Sequence, residues 1–283
     1  MRRWSFTKGH GTENDFVLIL DREALLDIGP AEVRFLCDRR AGIGGDGLLR
    51  AVLAKHIDDW QGDGSLWFMD YRNADGSVAE MCGNGARVFA RFLADQGLTS
   101  SPVVPVATRS GLRETTLLPD GQVRVAMGPV AVADAGVLVT PAGGEPAPAL
   151  TVDVGNPHAV SLVKDLDHLA LAPRPRWEPE DAFPQGVNLE FVRLLGPRHL
   201  KLRVHERGVG ETRSCGTGTV AAAAAAHLRG PDPDRFPATY RVDVPGGTVT
   251  VELTEAQAFL TGPAVLVAHG EVALPEAGSN RAE

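Results

Sequence analysis

Long apolar runs are missing from this chain of 283 residues. Its most apolar stretches, residues 16–20 and 220–226, are far shorter than the roughly 20 residues that a membrane-crossing helix needs. After the two N-terminal arginines there is also no apolar stretch of the length that a secretory signal requires. We therefore expect no membrane-spanning helix and a cytoplasmic location.

Cysteine is scarce as well. The three cysteines, Cys37, Cys82 and Cys215, are odd in number and far apart in the sequence. This pattern argues against a disulfide framework and against a CxxC metal site. We expect three free thiols and no bound metal.

Positive charge is limited, and most of it comes from arginine. Only four of the 28 basic residues are lysines, and none of them lies in a motif that resembles a cofactor-binding loop, which argues against pyridoxal phosphate. The 36 acidic residues leave a net charge of −8, which disfavours nucleic acid and anionic membrane surfaces as partners. One lysine can suffice for pyridoxal phosphate, so that cofactor is disfavoured and not excluded at this point.

The length favours two lobes, because 283 residues exceed what one hydrophobic core usually holds. Short β-rich runs alternate with turn residues, and each of two helical segments follows a cysteine. The second of these, residues 219–229, contains six consecutive alanines and is small and apolar on every side, which is typical of a buried helix.

A shorter helix is predicted over residues 30–40. The Ala-, Gly- and Pro-rich stretch 130–150 is predicted as a linker with one possible strand at 137–140.

The two halves of the chain share a set of spacings. Asn14 and Asp46 are 32 residues apart, as are Asn156 and Asn188, while Cys82 and Cys215 each follow a polar residue, Asn73 or Glu206, by nine residues. Several matched spacings in the same order indicate an internal duplication.

Each of the paired cysteines opens a glycine-rich segment that runs into a helix: Cys82 begins CGNG, and Cys215 begins CGTG. Glycines at a helix start let a ligand approach the backbone, and the helix dipole favours an anion there. The same field lowers the pKa of a thiol. We therefore predict two activated cysteines beside carboxylate-binding helix ends, whereas Cys37, which lacks this context, is interpreted as a small buried residue.

Six segments together resemble the signature blocks of the diaminopimelate epimerase family. They are HGTENDF (10–16), GIGGDGLL (42–49), RNADGSVAEMCGNGAR (72–87), GNPHAV (155–160), GVNLEF (186–191) and ERGVGETRSCGTGT (206–219). The resemblance implies an amino acid epimerase that needs no cofactor, converts LL-2,6-diaminopimelate to the meso isomer and forms a homodimer. It also implies an α+β fold of two pseudo-symmetric lobes, each a curved, barrel-like mixed sheet around a central helix.

On this basis we expect an N-terminal lobe of residues 1–128, joined by the C-terminal segment 265–283, and a C-terminal lobe of residues 129–264. The resemblance further implies that Cys82 and Cys215 are the two catalytic thiols, which face opposite sides of the substrate α-carbon. His158 and Glu206 are expected to assist proton transfer. The remaining implied substrate contacts are the carboxylate-binding positions Gly83, Asn84, Gly216 and Thr217, and a polar ring formed by Asn14, Asn73, Asn156, Asn188, Glu206 and Arg207.

One departure from the family pattern concerns the loop before Asn14. Many members carry a glycine where this chain has Glu13, so we expect an altered loop at that point.

Three other interpretations are open at this level. Proline racemases and hydroxyproline epimerases share the two-lobe plan but usually have histidine where Asn84 stands. Phenazine-pathway isomerases share the fold but lack both cysteines. A thiol redox switch in a binding protein would have no need of the ring of asparagines.

Overall fold

The structure is a computed structural model that describes residues 2–275, so the predicted role of residues 276–283 lies outside the described residues. It contains three α-helices: α1 (Pro30–Cys37), α2 (Gly83–Asp95) and α3 (Gly216–Leu228). None of the described helices combines the length and the apolar character of a membrane span. The strands are β1 (Arg3–Gly11), β2 (Asn14–Leu20), β3 (Gly47–Leu53), β4 (Trp67–Asn73), β5 (Val103–Thr108), β6 (Gly111–Leu117), β7 (Gln122–Gly128), β8 (Ala131–Thr140), β9 (Ala147–Asp153), β10 (Pro157–Leu162), β11 (Arg176–Glu178), β12 (Asn188–Gly196), β13 (His199–Glu206), β14 (Gly210–Thr212), β15 (Ala238–Val244), β16 (Gly247–Leu253), β17 (Ala258–Pro263) and β18 (Val265–Ala273).

The chain divides into two compact units. The first runs to Val123 and resumes at Ala264, and the second comprises Arg124–Pro263. The division therefore falls inside β7, a few residues before the predicted boundary at 128/129. That the two lobes are independent domains stays a prediction.

The sheet of the first unit is mixed. Strand β18 pairs antiparallel with β1, and β1 pairs antiparallel with β2. Strand β2 then pairs parallel with β3, β3 antiparallel with β4, β4 parallel with β5, and β5 antiparallel with β6. The described part of the C-terminal segment thus belongs to the first unit through its pairing with β1.

The second unit has the same order of strand directions. Strands β8 and β9 are antiparallel, as are β9 and β10. Strand β10 pairs parallel with β12, β12 antiparallel with β13, β13 parallel with β15, and β15 antiparallel with β16. This repetition of topology is the structural counterpart of the repeated sequence spacings and confirms two pseudo-symmetric α+β lobes.

One helix lies at the centre of each unit. Helix α2 packs against β1 to β6 and β18, and α3 packs against β8, β9, β10, β12, β13, β15, β16 and β17. Since each helix touches strands from the whole of its own sheet, the sheet wraps around it. All six alanines of α3, residues 221–226, are buried, and their small side chains allow the backbones of helix and strands to approach closely.

The predicted linker is wrong. Residues 131–140 and 147–153 form the antiparallel strands β8 and β9, which are joined by a short loop. Alanine, glycine and proline have low intrinsic strand propensity, so the local composition favoured a strand only at residues 137–140, which lie within β8. Pairing holds the rest, since β9 also pairs with the next strand, β10, and β8 pairs with the more distant β11.

Close packing around α3 predicts a large cost for any bigger side chain there. Ala222 is fully buried, so Ala222→Leu should lower the free energy of unfolding by about 1–3 kcal/mol through overpacking. Ala94→Leu in α2, at a half-exposed position, is the matched control and should change it by less than about 0.5 kcal/mol. Urea unfolding followed by circular dichroism measures both. Equal effects of the two substitutions would contradict close packing at α3.

Candidate active site

Both paired cysteines cap the buried helix of their own unit. Cys82 is the N-cap of α2, and its Sγ accepts a hydrogen bond from the backbone N–H of Gly85 at 3.3 Å. Cys215 is the N-cap of α3, and its Sγ accepts from the N–H of Gly218 at 3.4 Å. Each sulfur therefore lies at the positive end of a helix dipole.

A polar cluster surrounds Cys82; we call Cys82, Asn14, Asn84 and Asp46 the Cys82 cluster. The Cys82 thiol lies 3.6 Å from Asn14 Oδ1, which also accepts from Asn84 Nδ2 at 3.2 Å. Asn14 Nδ2 donates in turn to Asp46 Oδ2 at 2.8 Å. The structure thus brings the predicted residues Asn14 and Asn84 together at the thiol.

The tight turn between β1 and β2 places Asn14. Thr12 and Glu13 both adopt left-handed backbone conformations, with φ of 53° and 61°. Glycine adopts such a conformation at little cost, whereas Glu13 holds it with a full side chain. Arg87 of α2 stabilises this turn. Its side chain is fully buried, and its Nη2 donates a hydrogen bond to Thr12 Oγ1 at 3.2 Å.

The side chain of Asn73 lies apart from these contacts. Asn73 ends β4 and pairs with Gly47 of β3, so it occupies the same sheet edge as Asp46. Its Nδ2, however, donates to Ser77 Oγ at 3.0 Å within a turn. A substrate contact for Asn73 stays a prediction.

A second cluster surrounds Cys215; we call Cys215, Thr217, Asn156, His158 and Glu190 the Cys215 cluster. Cys215 Sγ lies 3.5 Å from Thr217 Oγ1, which accepts from Asn156 Nδ2 at 3.4 Å. Asn156 Oδ1 lies 2.9 Å from His158 Nε2, and His158 Nδ1 lies 2.6 Å from Glu190 Oε1. His158 is thus connected to the thiol through two intermediate side chains.

The other predicted residues of the second unit occupy the loop before Cys215 and the strand beside it. Asn188 Oδ1 accepts from the N–H of Arg207 at 2.9 Å, and its Nδ2 donates to the carbonyl of Pro157 at 3.2 Å. Glu206 ends β13 and accepts a hydrogen bond from the Thr212 hydroxyl. Asn188 therefore ties the loop that carries Arg207 to the start of β10.

The two thiols lie in different electrostatic surroundings. Burial, followed by the charges of Glu206 and Glu190, raises the pKa of the Cys215 thiol well above its usual range. This result corrects the expectation that the helix dipole lowers the pKa of both cysteines, because burial and the two carboxylates outweigh the dipole at Cys215.

A buried cation, Arg87, interacts with Cys82. Burial lowers the pKa of Arg87 to about 10, and the charge of the Cys82 thiolate opposes this shift. Electrostatic interaction is mutual, so the guanidinium also stabilises the thiolate.

Cys37 differs from both. It ends α1 in the hydrophobic core of the first unit, and burial raises its pKa to about 12. A thiol of this kind is a poor nucleophile and a poor base near neutral pH, which agrees with the interpretation of Cys37 as a core residue.

Comparison with protein families assigns the chain. The family model for diaminopimelate epimerase matches residues 6–133 and 150–267. The chain belongs to the diaminopimelate epimerase family. It is 52% identical over 276 residues to the diaminopimelate epimerase of Streptomyces coelicolor, with 95% of each chain covered. It is 49% identical to that of Thermobifida fusca, over 95% of this chain and 98% of the relative.

Solved structures share the fold of this epimerase-family chain. A phenazine biosynthesis protein of the PhzF family from Bacillus anthracis matches with a TM-score of 0.73 and 16% identity, covering 97% of this chain and all of that one. A hydroxyproline epimerase from Agrobacterium vitis matches with a TM-score of 0.68 and 15% identity, over 96% of this chain and 93% of the other. At such identities the likeness shows the fold alone.

In this member of the diaminopimelate epimerase family, three residues in or next to the two clusters were not predicted from the sequence: Glu190, Asp46 and Arg87. Glu190 lies in the quoted block GVNLEF but received no role, although a charged residue within a run of buried strand residues was a usable signal. Asp46 entered only as a spacing marker. Arg87 ended a quoted block, and nothing local distinguished it from a solvent-facing helical arginine.

The two helix starts differ in the space around their third residue, and this difference predicts unequal effects of alanine. A Cβ at Gly218 would lie 2.6 Å from Glu190 Oε1, whereas at Gly85 the nearest atom would be at 3.4 Å. Gly218→Ala should therefore cost about 1–3 kcal/mol of stability. Gly85→Ala should be neutral or stabilising by up to about 1 kcal/mol, since alanine favours a helix. Thermal unfolding of the pair checks this, and a loss at Gly85 as large as at Gly218 would be inconsistent with the packing.

Proposed function

We propose that this chain is a cofactor-independent epimerase that converts LL-2,6-diaminopimelate to the meso isomer with Cys82 and Cys215 as a thiolate and thiol pair. The observation that carries the proposal is the capping of each buried helix by a cysteine with polar partners, in a chain of the diaminopimelate epimerase family. Within the described residues there is no cluster of His, Cys, Asp and Glu that could hold a metal ion.

The reaction exchanges one proton for another at the α-carbon. One cysteine thiolate removes the α-proton, so a C–H bond breaks and an S–H bond forms. The other cysteine, as thiol, delivers its proton to the opposite face, so its S–H bond breaks and a new C–H bond forms with inverted configuration. The pair ends with thiolate and thiol interchanged, and no electron is gained or lost.

The carbanion that forms between these two steps is stabilised by its carboxylate. Gly83 and Asn84 form the start of α2, and Gly216 and Thr217 form the start of α3. The positive end of a helix dipole favours the charge that develops on the carboxylate oxygens when the α-proton leaves. We assign these four positions to the reacting carboxylate.

Polar side chains recognise the rest of the substrate. In our proposal Glu206 and Arg207 bind the ammonium and carboxylate groups through charge-assisted hydrogen bonds, and His158 and Glu206 assist proton transfer. The ring is completed by Asn14, Asn73, Asn156 and Asn188. Contacts of Asn14 with Cys82 and of Asn156 with Thr217 support this assignment for two of its members.

The resting protein holds one proton on the pair. Arg87 favours the thiolate at Cys82, whereas burial and the carboxylates of Glu190 and Glu206 raise the pKa of Cys215. We assign the thiolate to Cys82 and the thiol to Cys215 before substrate binds. A homodimer and a cytoplasmic location complete the proposal as predictions.

Loss of either thiol removes one of the two proton carriers. Cys82→Ala and Cys215→Ala should each reduce epimerisation by at least about a hundredfold, since general acid–base groups contribute about 10²–10⁴ in rate. Appearance of meso-diaminopimelate, and of deuterium at the α-carbon in D₂O, measures the reaction. Cys37→Ala is the control and should match the wild type.

The same assay separates the open alternatives. L-Proline and hydroxyproline should show no α-deuterium incorporation under conditions in which LL-diaminopimelate does. Exchange with proline alone would favour a proline racemase activity, and no exchange with any amino acid would favour a redox binding protein.

The pH dependence of kcat/KM should be bell-shaped, because activity needs one thiolate and one thiol together. On the acid side both groups are thiols and no base is present; on the alkaline side both are thiolates and no acid is present. Since the pKa of Cys215 is raised, the alkaline limb should lie above the usual cysteine pKa of about 8.5. A profile that falls already at pH 8, or that lacks a descending limb through pH 11 in a protein that remains folded, would contradict this assignment.

A further inference from the structure

The Cys215 cluster contains a fully buried acid–base pair. Glu190 of β12 and His158 of β10 are both 0% exposed, and Glu190 Oε1 lies 2.6 Å from His158 Nδ1. Within the described residues, Glu190 Oε2 has no hydrogen-bond partner. His158 is therefore the side chain that bonds to the carboxyl group of Glu190.

Two side-chain oxygens face the ring of His158. Asn156 uses its Nδ2 to donate to Thr217, so its Oδ1 faces His158 Nε2. The other ring nitrogen, Nδ1, faces Oε1 of Glu190. With Glu190 as a carboxylate, both oxygens are acceptors; a ring that donates to both is an imidazolium, and the pair is then neutral overall.

The fold itself does not require this pair. The offset of 142 residues that aligns Asn14 with Asn156 also aligns Phe16 with His158. Leu49 is the counterpart of Glu190: an added Cβ would lie 3.4 Å from Leu49 Cδ2 at Gly85, the third residue of α2, and 2.6 Å from Glu190 Oε1 at Gly218, the third residue of α3. Phe16 and Leu49 are likewise fully buried. The first unit therefore fills the same two positions of its duplicated sheet with apolar side chains.

A gain in stability is not a sufficient reason for the pair either. Desolvating a buried ion pair costs about as much as the attraction returns, and replacement by apolar residues of similar volume is often neutral or stabilising. Glu190 also excludes a side chain at Gly218, whose added Cβ would lie 2.6 Å from Oε1. The pair therefore packs against the first turn of α3, the helix that Cys215 caps.

The hydrogen bonds lead from this pair to the reacting sulfur. His158 holds the amide of Asn156, Asn156 Nδ2 donates to Thr217 Oγ1, and Thr217 Oγ1 lies 3.5 Å from Cys215 Sγ. Because Thr217 Oγ1 accepts from Asn156, its hydroxyl hydrogen is available for the sulfur. Each side chain in this series orients the next one. The series begins at Glu190, passes through His158, Asn156 and Thr217, and ends at Cys215.

We propose that Glu190 is a positioning residue that holds His158 as imidazolium and, through Asn156 and Thr217, directs a hydroxyl donor to Cys215. The inference rests on the proposed function and extends it to a residue of β12 that, within the described residues, forms no hydrogen bond with the Cys215 thiol. Its effect is confined to the Cys215 cluster, since the first unit has Leu49 at the corresponding position.

The sharpest test transfers the apolar pair of the first unit into the second. The double variant His158→Phe/Glu190→Leu should fold with an unfolding temperature equal to or above that of the wild type, yet epimerise LL-diaminopimelate at least about tenfold more slowly, as expected for loss of an orienting partner. Turnover within twofold of the wild type would overturn the proposal.

Glu190→Gln removes the charge and keeps the shape, and it should lower kcat at least about tenfold with little change in unfolding temperature. Asp243→Asn is the matched control, because Asp243 Oδ2 lies 2.7 Å from His199 Nε2 in the same unit but outside the cluster; it should leave kcat unchanged. If Glu190→Gln and the double variant both fail to fold, the pair serves stability and the proposal is wrong.

Nitrogen-15 NMR of His158 in the protein without substrate gives a readout that does not depend on activity. At pH 7 the wild type should show two protonated ring nitrogens, and Glu190→Gln should show a neutral ring, with Asp243→Asn like the wild type. A neutral ring in the wild type would overturn the role of Glu190. A charged His158 in a protein that does not exchange the α-proton of diaminopimelate would instead count against the proposed function.

Discussion

The hydrogen bond from a backbone N–H to a cysteine sulfur at the start of a buried helix is the constraint that organises each unit. The first turn of such a helix has N–H groups that no residue of the helix can satisfy, and burial among strands makes an unsatisfied donor costly. Cys82 and Cys215 accept from the third residue of α2 and α3 respectively. The capping that completes the helix therefore also fixes the position of each reactive sulfur.

The duplicated units have kept this arrangement and diverged in the charges around it. The order of strand directions is the same in both, and so is the cap. At the positions where the first unit buries Phe16 and Leu49, the second buries His158 and Glu190. The charge of Arg87 acts on Cys82, and the charges of Glu206 and Glu190 act on Cys215. In the proposed mechanism this difference gives a symmetric fold an asymmetric proton distribution, as a reaction that needs one base and one acid requires.

The sequence allowed most of the fold and part of the candidate site to be predicted, because both depend on local patterns. Helices that begin with a cysteine and glycines, the buried alanine helix and the repeated spacings were visible as short-range signals. Strand β8 was predicted only at residues 137–140, and most of β9 was missed, because pairing and not composition holds these strands. The roles of Arg87 and Glu190 were missed for a related reason: burial of a charged side chain depends on partners distant in sequence.

The raised pKa of Cys215 is compatible with its proposed role. The α-proton of an amino acid is weakly acidic, and proton transfer is favoured when the base that removes it has a high pKa. A buried thiolate at Cys215, formed when its proton has passed to the substrate, is a stronger base than an exposed one. A hydroxyl directed by Asn156 and Thr217 toward its sulfur limits the cost of holding that charge. In the proposed mechanism, Cys215 therefore combines a thiol that keeps its proton at rest with a thiolate that is reactive during turnover, whereas a simple dipole-activated cysteine would be a weaker base.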